Sequence, residues 1–192
     1  MISASQEFTA ERLLGYEVRG ERLELIRGQL VVREPAGVRH GDIGLRLAHR
    51  LLTHLERERD SGVVSQLRGT VHGPDTGFVL ERGPDTVRAP DVSFVLAGRL
   101  PDPLPDGFGD LAPDLVVEVR SPRDRPGALL AKVGEYLTAG TQLAWVIDPE
   151  HASVTIYRSD GTVATAGTND TVSGEALLPG FAVSVRDLLS AG

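Results

Sequence analysis

The sequence predicts an α/β fold: a mixed central sheet flanked by helices, with β-hairpins near both ends of the chain. Three observations carry that prediction. The run Asp114-Leu-Val-Val-Glu-Val-Arg120 is too apolar to have an open face and reads as a central strand. A helical stretch over 126–139 follows, with Gly140 as its C-terminal cap. A second apolar strand at 143–147 comes next, and strand, helix, strand in this order implies one parallel crossover.

The other elements follow from local chemistry. Thr9 is placed to cap a short helix over 9–16. Arg22–Ile26 and Gln29–Arg33 read as strands, with Arg27-Gly28 between them as a tight hairpin turn. Residues 36–41 read as a loop. From 42 to about 59, Ile43, Leu45, Leu47, Leu51, Leu52 and Leu55 recur mostly at helical spacing, which predicts a long amphipathic helix. Residues 62–71, 77–80 and 88–95 read as strands. Pro101, Pro103, Pro105 and Pro113 make 98–113 irregular. Beyond the central unit, Asp148-Pro149 turns the chain, with Asp148 capping its strand end, and Ser153–Arg158 returns. Residues 161–172 are polar and suit a hairpin or loop at the sheet edge. Leu178-Pro-Gly-Phe181 leads into a final helix at Val185–Leu189. Trp145 is assigned to the core.

A chain of 192 residues suits one domain over 1–192 and can bury a sizeable core. With no cysteine, neither a disulfide framework nor a thiolate metal site is available. The opening MISASQEFTAERLLGYEV lacks the basic start and apolar stretch of a signal peptide. No apolar run approaches the ~20 residues that span a bilayer. A cytoplasmic protein without membrane contact is therefore expected. A net charge of -7 argues against a passive nucleic-acid coat, and no zinc finger or basic stripe is recognisable. It does not exclude an enzyme whose metal offsets acidic ligands locally.

Among 20 basic residues only Lys132 is a lysine, which marks it as a position where arginine does not serve. Side chains alternate along a strand, so Asp114, Val116, Glu118 and Arg120 share one face. Glu118 thus lies deep in an apolar strand, where a lone carboxylate needs a cation, a metal or a proton. Asp91, at the start of a neighbouring apolar strand, is its candidate companion. Two rigidly held carboxylates suit Mg²⁺, with Mn²⁺ as a possible substitute. An ammonium beside them suits phosphodiester cleavage. Lys132 and Tyr136 share a helix face that can fold back on the Glu118 strand. His49, His54, His72 and His151 read as surface residues.

An ordered set of segments resembles the Uma-two family of restriction endonucleases, which is similar to PD-(D/E)xK nucleases. These are Leu23-Glu24-Leu-Ile-Arg-Gly28-Gln-Leu-Val, Gly37-Val-Arg-His40, Arg88-Ala-Pro-Asp91-Val, Pro113-Asp-Leu-Val-Val-Glu118-Val-Arg-Ser-Pro122, Lys132 to Tyr136, Ala139-Gly140, Ala144-Trp145-Val-Ile-Asp148-Pro149 and Leu178-Pro-Gly-Phe. Together they cover about 20–189. The resemblance implies a restriction-endonuclease-like fold and Mg²⁺-dependent hydrolysis of DNA, with a homodimer as the working form. It implies Asp91 and Glu118 as metal ligands and Lys132 as the catalytic lysine, displaced onto the helix. Glu24 matches an upstream acid that binds or orients the metal, and His40 a family histidine. Arg120 departs from the family's aliphatic residue and is expected either to contact phosphate or to pair with Glu118. The rival expectations are a non-catalytic nucleic-acid-binding or regulatory module on the same fold, and a hydrolase of another phosphorylated substrate.

Overall fold

The computed structural model describes residues 7–16 and 22–190, so the reading of residues 1–18 lies partly outside the described residues. Strands β1 (Arg22–Ile26) and β2 (Gln29–Arg33) pair antiparallel around Arg27-Gly28, both of which take the positive φ such a turn needs. They join β4 (Phe78–Glu81) and β5 (Thr86–Arg88) in a four-stranded sheet ordered β2-β1-β5-β4. Helix α1 (Ala10–Leu14) is capped by Thr9, as expected, and packs Ala10 and Leu13 on Leu25, Val79 and Val87. Glu24 and Arg88 alternate with Leu25 and Val87, so they turn to the opposite face of this sheet.

The second sheet has six strands. In order they are β10 (Val163–Ala166), β9 (Ser153–Arg158), β8 (Leu143–Asp148), β7 (Leu115–Val119), β6 (Val92–Leu96) and β3 (Gly69–His72). All five residues of β7 are buried in the sheet interior, as their apolarity demands. β7 and β8 run parallel, and the crossover between them is α3 (Pro126–Thr138), which Pro126 opens. Helix α2 (Val38–Asp60) lays Ile43, Leu47, Leu51 and Leu55 on one face of the sheet, against Val92, Phe94, Leu115, Val117 and Val119. Helix α3 lays Val133 and Tyr136 on the other face, against Val116, Ala144 and Val146. Glu118 alternates with Val117 and Val119, so it falls on the α3 face. A closing hairpin, β11 (Thr171–Gly174) and β12 (Leu178–Ser184), leads into α4 (Val185–Leu189). No helix among the described residues is long and apolar enough to cross a membrane.

Three boundaries differ from expectation. Helix α2 begins at Val38, so His40 lies in its first turn and not in a loop. Gly41, a poor helix former, masks that turn in the sequence. Residues 62–68 are turn and bend, not strand. Gly62 takes φ +75° just past the helix, and two 3.2 Å bonds tie Arg68 back to Glu58. β3 starts only at Gly69, where a Cβ would stand 2.1 Å from the Val95 carbonyl oxygen. The expected strand at 88–95 is two strands in two sheets. Pro90 offers no amide hydrogen to a ladder, and the link Ala89-Pro90-Asp91 carries the chain from the first sheet to the second. That switch decides the site, because it places Arg88 on one sheet and Asp91 on the other.

Candidate active site

Glu24 on β1, Arg88 at the end of β5, Asp91 ahead of β6, Glu118 on β7 and Lys132 on α3 line one cleft of about 900 Å³. Lys132 is 3% exposed and sits between two carboxylates. Its Nζ lies 2.7 Å from Glu118 Oε1 and 3.0 Å from Glu24 Oε1, and donates to the Ala89 carbonyl at 3.4 Å. One turn along α3, Tyr136 donates its hydroxyl to Glu118 Oε1 at 3.0 Å. Both contacts use the same oxygen, Glu118 Oε1. Asp91 Oδ2 accepts the Val119 N–H at 2.7 Å, which pins the carboxylate to the end of β7. Asp91 Oδ1 lies 2.9 Å from His40 Nε2, an ion pair whenever His40 is protonated. Neither His40 ring nitrogen makes a well-formed hydrogen bond to a described residue.

Burial disfavours every charge here, so the number of cations beside each carboxylate decides its state. For Glu24, burial acts upward. Lys132, Arg88 at 2.8 Å and Arg33 at 3.5 Å outweigh it and hold the carboxyl at about 2. Glu118 has Lys132 alone. Burial, with the negative charges of Asp91 and Glu24, pushes it up to about 7. Burial opposes the Lys132 ammonium too, yet Glu118 and Glu24 raise it above the ordinary lysine value. Burial and then Glu118 hold the Tyr136 phenol well above its usual range, so it stays a donor. Burial depresses His40, and Asp91 more than reverses the effect.

A buried carboxylate short of positive charge, beside a second carboxylate, suits a hard divalent cation. Asp91 and Glu118 offer oxygen donors only, which fits Mg²⁺ or Mn²⁺ and not a soft metal. Among the described residues, one trio of His, Asp or Glu places its ligand atoms within 4.8 Å of one another: Asp148, Glu150 and His151. None of the three lines the cleft.

The fold thus brings Asp91, Glu118, Lys132, Glu24, His40 and Tyr136 together. Arg120 is the exception. β7 ends at Val119, and the Arg120 guanidinium turns away to Asp148 Oδ2 at 2.5 Å. It neither pairs with Glu118 nor lines the cleft. Asp148 also caps its strand end, as expected, accepting from the Glu150 and His151 amides. Sequence reasoning missed Arg88 and Glu135. Arg88 is buried and bridges Glu24 at 2.8 Å and Glu135 Oε2 at 2.6 Å. Glu135 lies three residues after Lys132 on a helix, which was the available signal. Two histidines also differ from expectation. His54 and His72 are half-buried, packing edge-on against Phe181 and Phe78 at 5.5 and 5.7 Å. His49 and His151 are exposed.

A family model, Uma2, described as "Putative restriction endonuclease", matches residues 6–186. The crystal structure of "a putative nuclease belonging to DUF820" from Anabaena variabilis is similar, with a TM-score of 0.79 at 20% identity. The alignment covers 95% of this chain and 97% of that one. At this identity the likeness shows a shared α/β fold. No curated protein sequence matches. Because the family match runs along nearly the whole sequence, the chain belongs to the Uma2 family, and its role is nuclease-like.

Proposed function

We propose that the protein is a metal-dependent endonuclease that hydrolyses DNA phosphodiester bonds. Asp91 and Glu118 hold Mg²⁺ or Mn²⁺, and Lys132 serves the attacking water. The observation that carries this reading is the buried Lys132 ammonium, set between Glu118 and Glu24 in a cleft that Asp91 also lines. The metal, when bound, polarises the phosphate and favours hydroxide over water. The chain's own groups do the rest. The Val119 amide keeps Asp91 aimed, with His40 against its other oxygen. Tyr136 and Lys132 both hold Glu118 Oε1. Glu24, kept ionised by its three cations, anchors the ammonium. That ammonium orients the water and offsets negative charge as it develops on the phosphate. In this reading residues 1–192 form one domain, and cutting both strands calls for two sites, hence a homodimer. With Arg120 engaged by Asp148, that residue lends no support to the non-catalytic reading.

Supercoiled plasmid is the test substrate. It is expected to be nicked and linearised in Mg²⁺ or Mn²⁺ and left whole in EDTA. Whole plasmid under every metal, with folded protein, counts against the proposal.

A pH dependence follows from Glu118. Its proton competes with the metal, and its carboxyl is held at about 7. Metal affinity should therefore fall about tenfold per pH unit below that value and level off above it. Calorimetric Mn²⁺ titrations on both sides of neutrality check this; an affinity flat across the range excludes Glu118 as a ligand.

A further inference from the structure

Helix α2 carries a second groove, about 590 Å³ in volume. Arg46, His49, Arg50, His54 and Arg57 line one side, and Phe181 lies across from them. No carboxylate lines it, although the chain as a whole carries a charge of -7. Arg46, Arg50, His54 and Arg57 recur at steps of four, four and three, so they share one face of the helix. The sequence alone hid this stripe, because Glu56 and Glu58 flank Arg57 at its end. Glu58 is taken by Arg68 at 3.2 Å. Arg46 is fixed by Asp42 at 3.0 Å and by the Ser190 carbonyl. Arg50 and Arg57 meet no carboxylate among the described residues. The buried His54 Nε2 makes no hydrogen bond there, although Glu58 Oε2 lies 3.9 Å away. Two arginines on one helix face without counter-charges among the described residues, in an acidic protein, are complementary to a polyanion.

We infer that this groove binds the phosphate backbone of DNA, outside the cleft, and holds the substrate along α2. The choice of DNA among polyanions rests on the endonuclease reading above. The geometry links the two sites. His40, beside Asp91, lies in the first turn of α2. Arg46 follows it by ~9 Å along the helix axis, and Arg57 lies about 16 Å beyond Arg46. That length spans roughly five phosphates of one strand at ~3.4 Å of duplex axis each. Arginine also suits the task, because its planar fork takes phosphate oxygens two at a time.

The test is binding of a fluorescein-labelled DNA duplex, followed by anisotropy in EDTA over a range of salt. Wild type is compared with Arg50→Ala/Arg57→Ala and with Arg50→Lys/Arg57→Lys, each checked for fold by circular dichroism. The alanine pair is expected to bind about tenfold or more weaker and to lower the salt slope by about two. The lysine pair is expected to keep most of both. An alanine pair with wild-type affinity and slope overturns the groove, and it leaves the endonuclease reading intact if wild type still cuts plasmid. Binding through these arginines without any cutting sustains the groove and removes the catalytic reading. No DNA binding by wild type at low salt overturns the groove, even if the protein is retained on heparin.

Discussion

Replacing Glu118 by glutamine is expected to reduce metal-dependent DNA cleavage by about a thousandfold or more, while the protein still folds. Glutamine keeps the shape of the side chain and an acceptor oxygen for the Tyr136 hydroxyl, which now donates to Oε1 at 3.0 Å. Lys132 keeps Glu24 at 3.0 Å, so no buried cation is left without a partner. What disappears is the one carboxylate in the cluster that lacks cations enough to neutralise it. Mn²⁺ affinity should vanish with the activity, and thermal unfolding should shift by only a few degrees. A Glu118→Gln protein that cuts DNA at the wild-type rate removes Glu118 from the chemistry.

Lys132→Met carries a second large effect, and a different one. Methionine fills most of the volume but leaves Glu118 and Glu24 facing one another without the ammonium between them. Removing one partner of a buried ion pair costs roughly 3–5 kcal/mol. Cleavage should be lost, and the protein should be destabilised in a pH-dependent way. Glu118 already sits at about 7, and losing Lys132 raises it further. A carboxyl raised in the folded state holds more protons there than in the unfolded chain. The folded state therefore loses stability as pH rises from the unfolded carboxyl value through the folded one. The damage from Lys132→Met is thus largest above neutrality and smaller in mild acid, where Glu118 is protonated in either protein. Urea unfolding of both proteins at mildly acid and mildly alkaline pH reads this difference. Equal losses at the two pH values would show that Glu118 and Lys132 do not interact as the structure places them.

The difference between what was legible in the sequence and what was not follows the range of the interactions. Strand β7 and helix α3 were plain because their signals are local: an unbroken apolar run, a proline opening the helix, a glycine closing it. Their short connection then put Lys132 against Glu118 with little further information. Arg88 was hidden because its partners, Glu24 and Glu135, lie 64 and 47 residues away. Its position also depends on the sheet-to-sheet switch at Ala89-Pro90, which reads in sequence as one continuous strand. Arg120 misled because alternation fixes a face and not a partner. One step beyond the Val119–Ile147 pair, the parallel register sets Arg120 beside Asp148, and that carboxylate captures its guanidinium. The α2 groove was illegible for a similar reason: its far wall comes from Gly180, Phe181 and Ala182, distant in sequence and joined to the helix only by folding.

The most direct test of the central claim is plasmid cleavage by wild type, Glu118→Gln and Lys132→Met, side by side in Mg²⁺, Mn²⁺ and EDTA. Cutting by wild type alone, and only with metal, is the predicted result. Cutting that persists in EDTA, or in either variant, would contradict the assignment of Asp91, Glu118 and Lys132 as the metal-dependent catalytic centre.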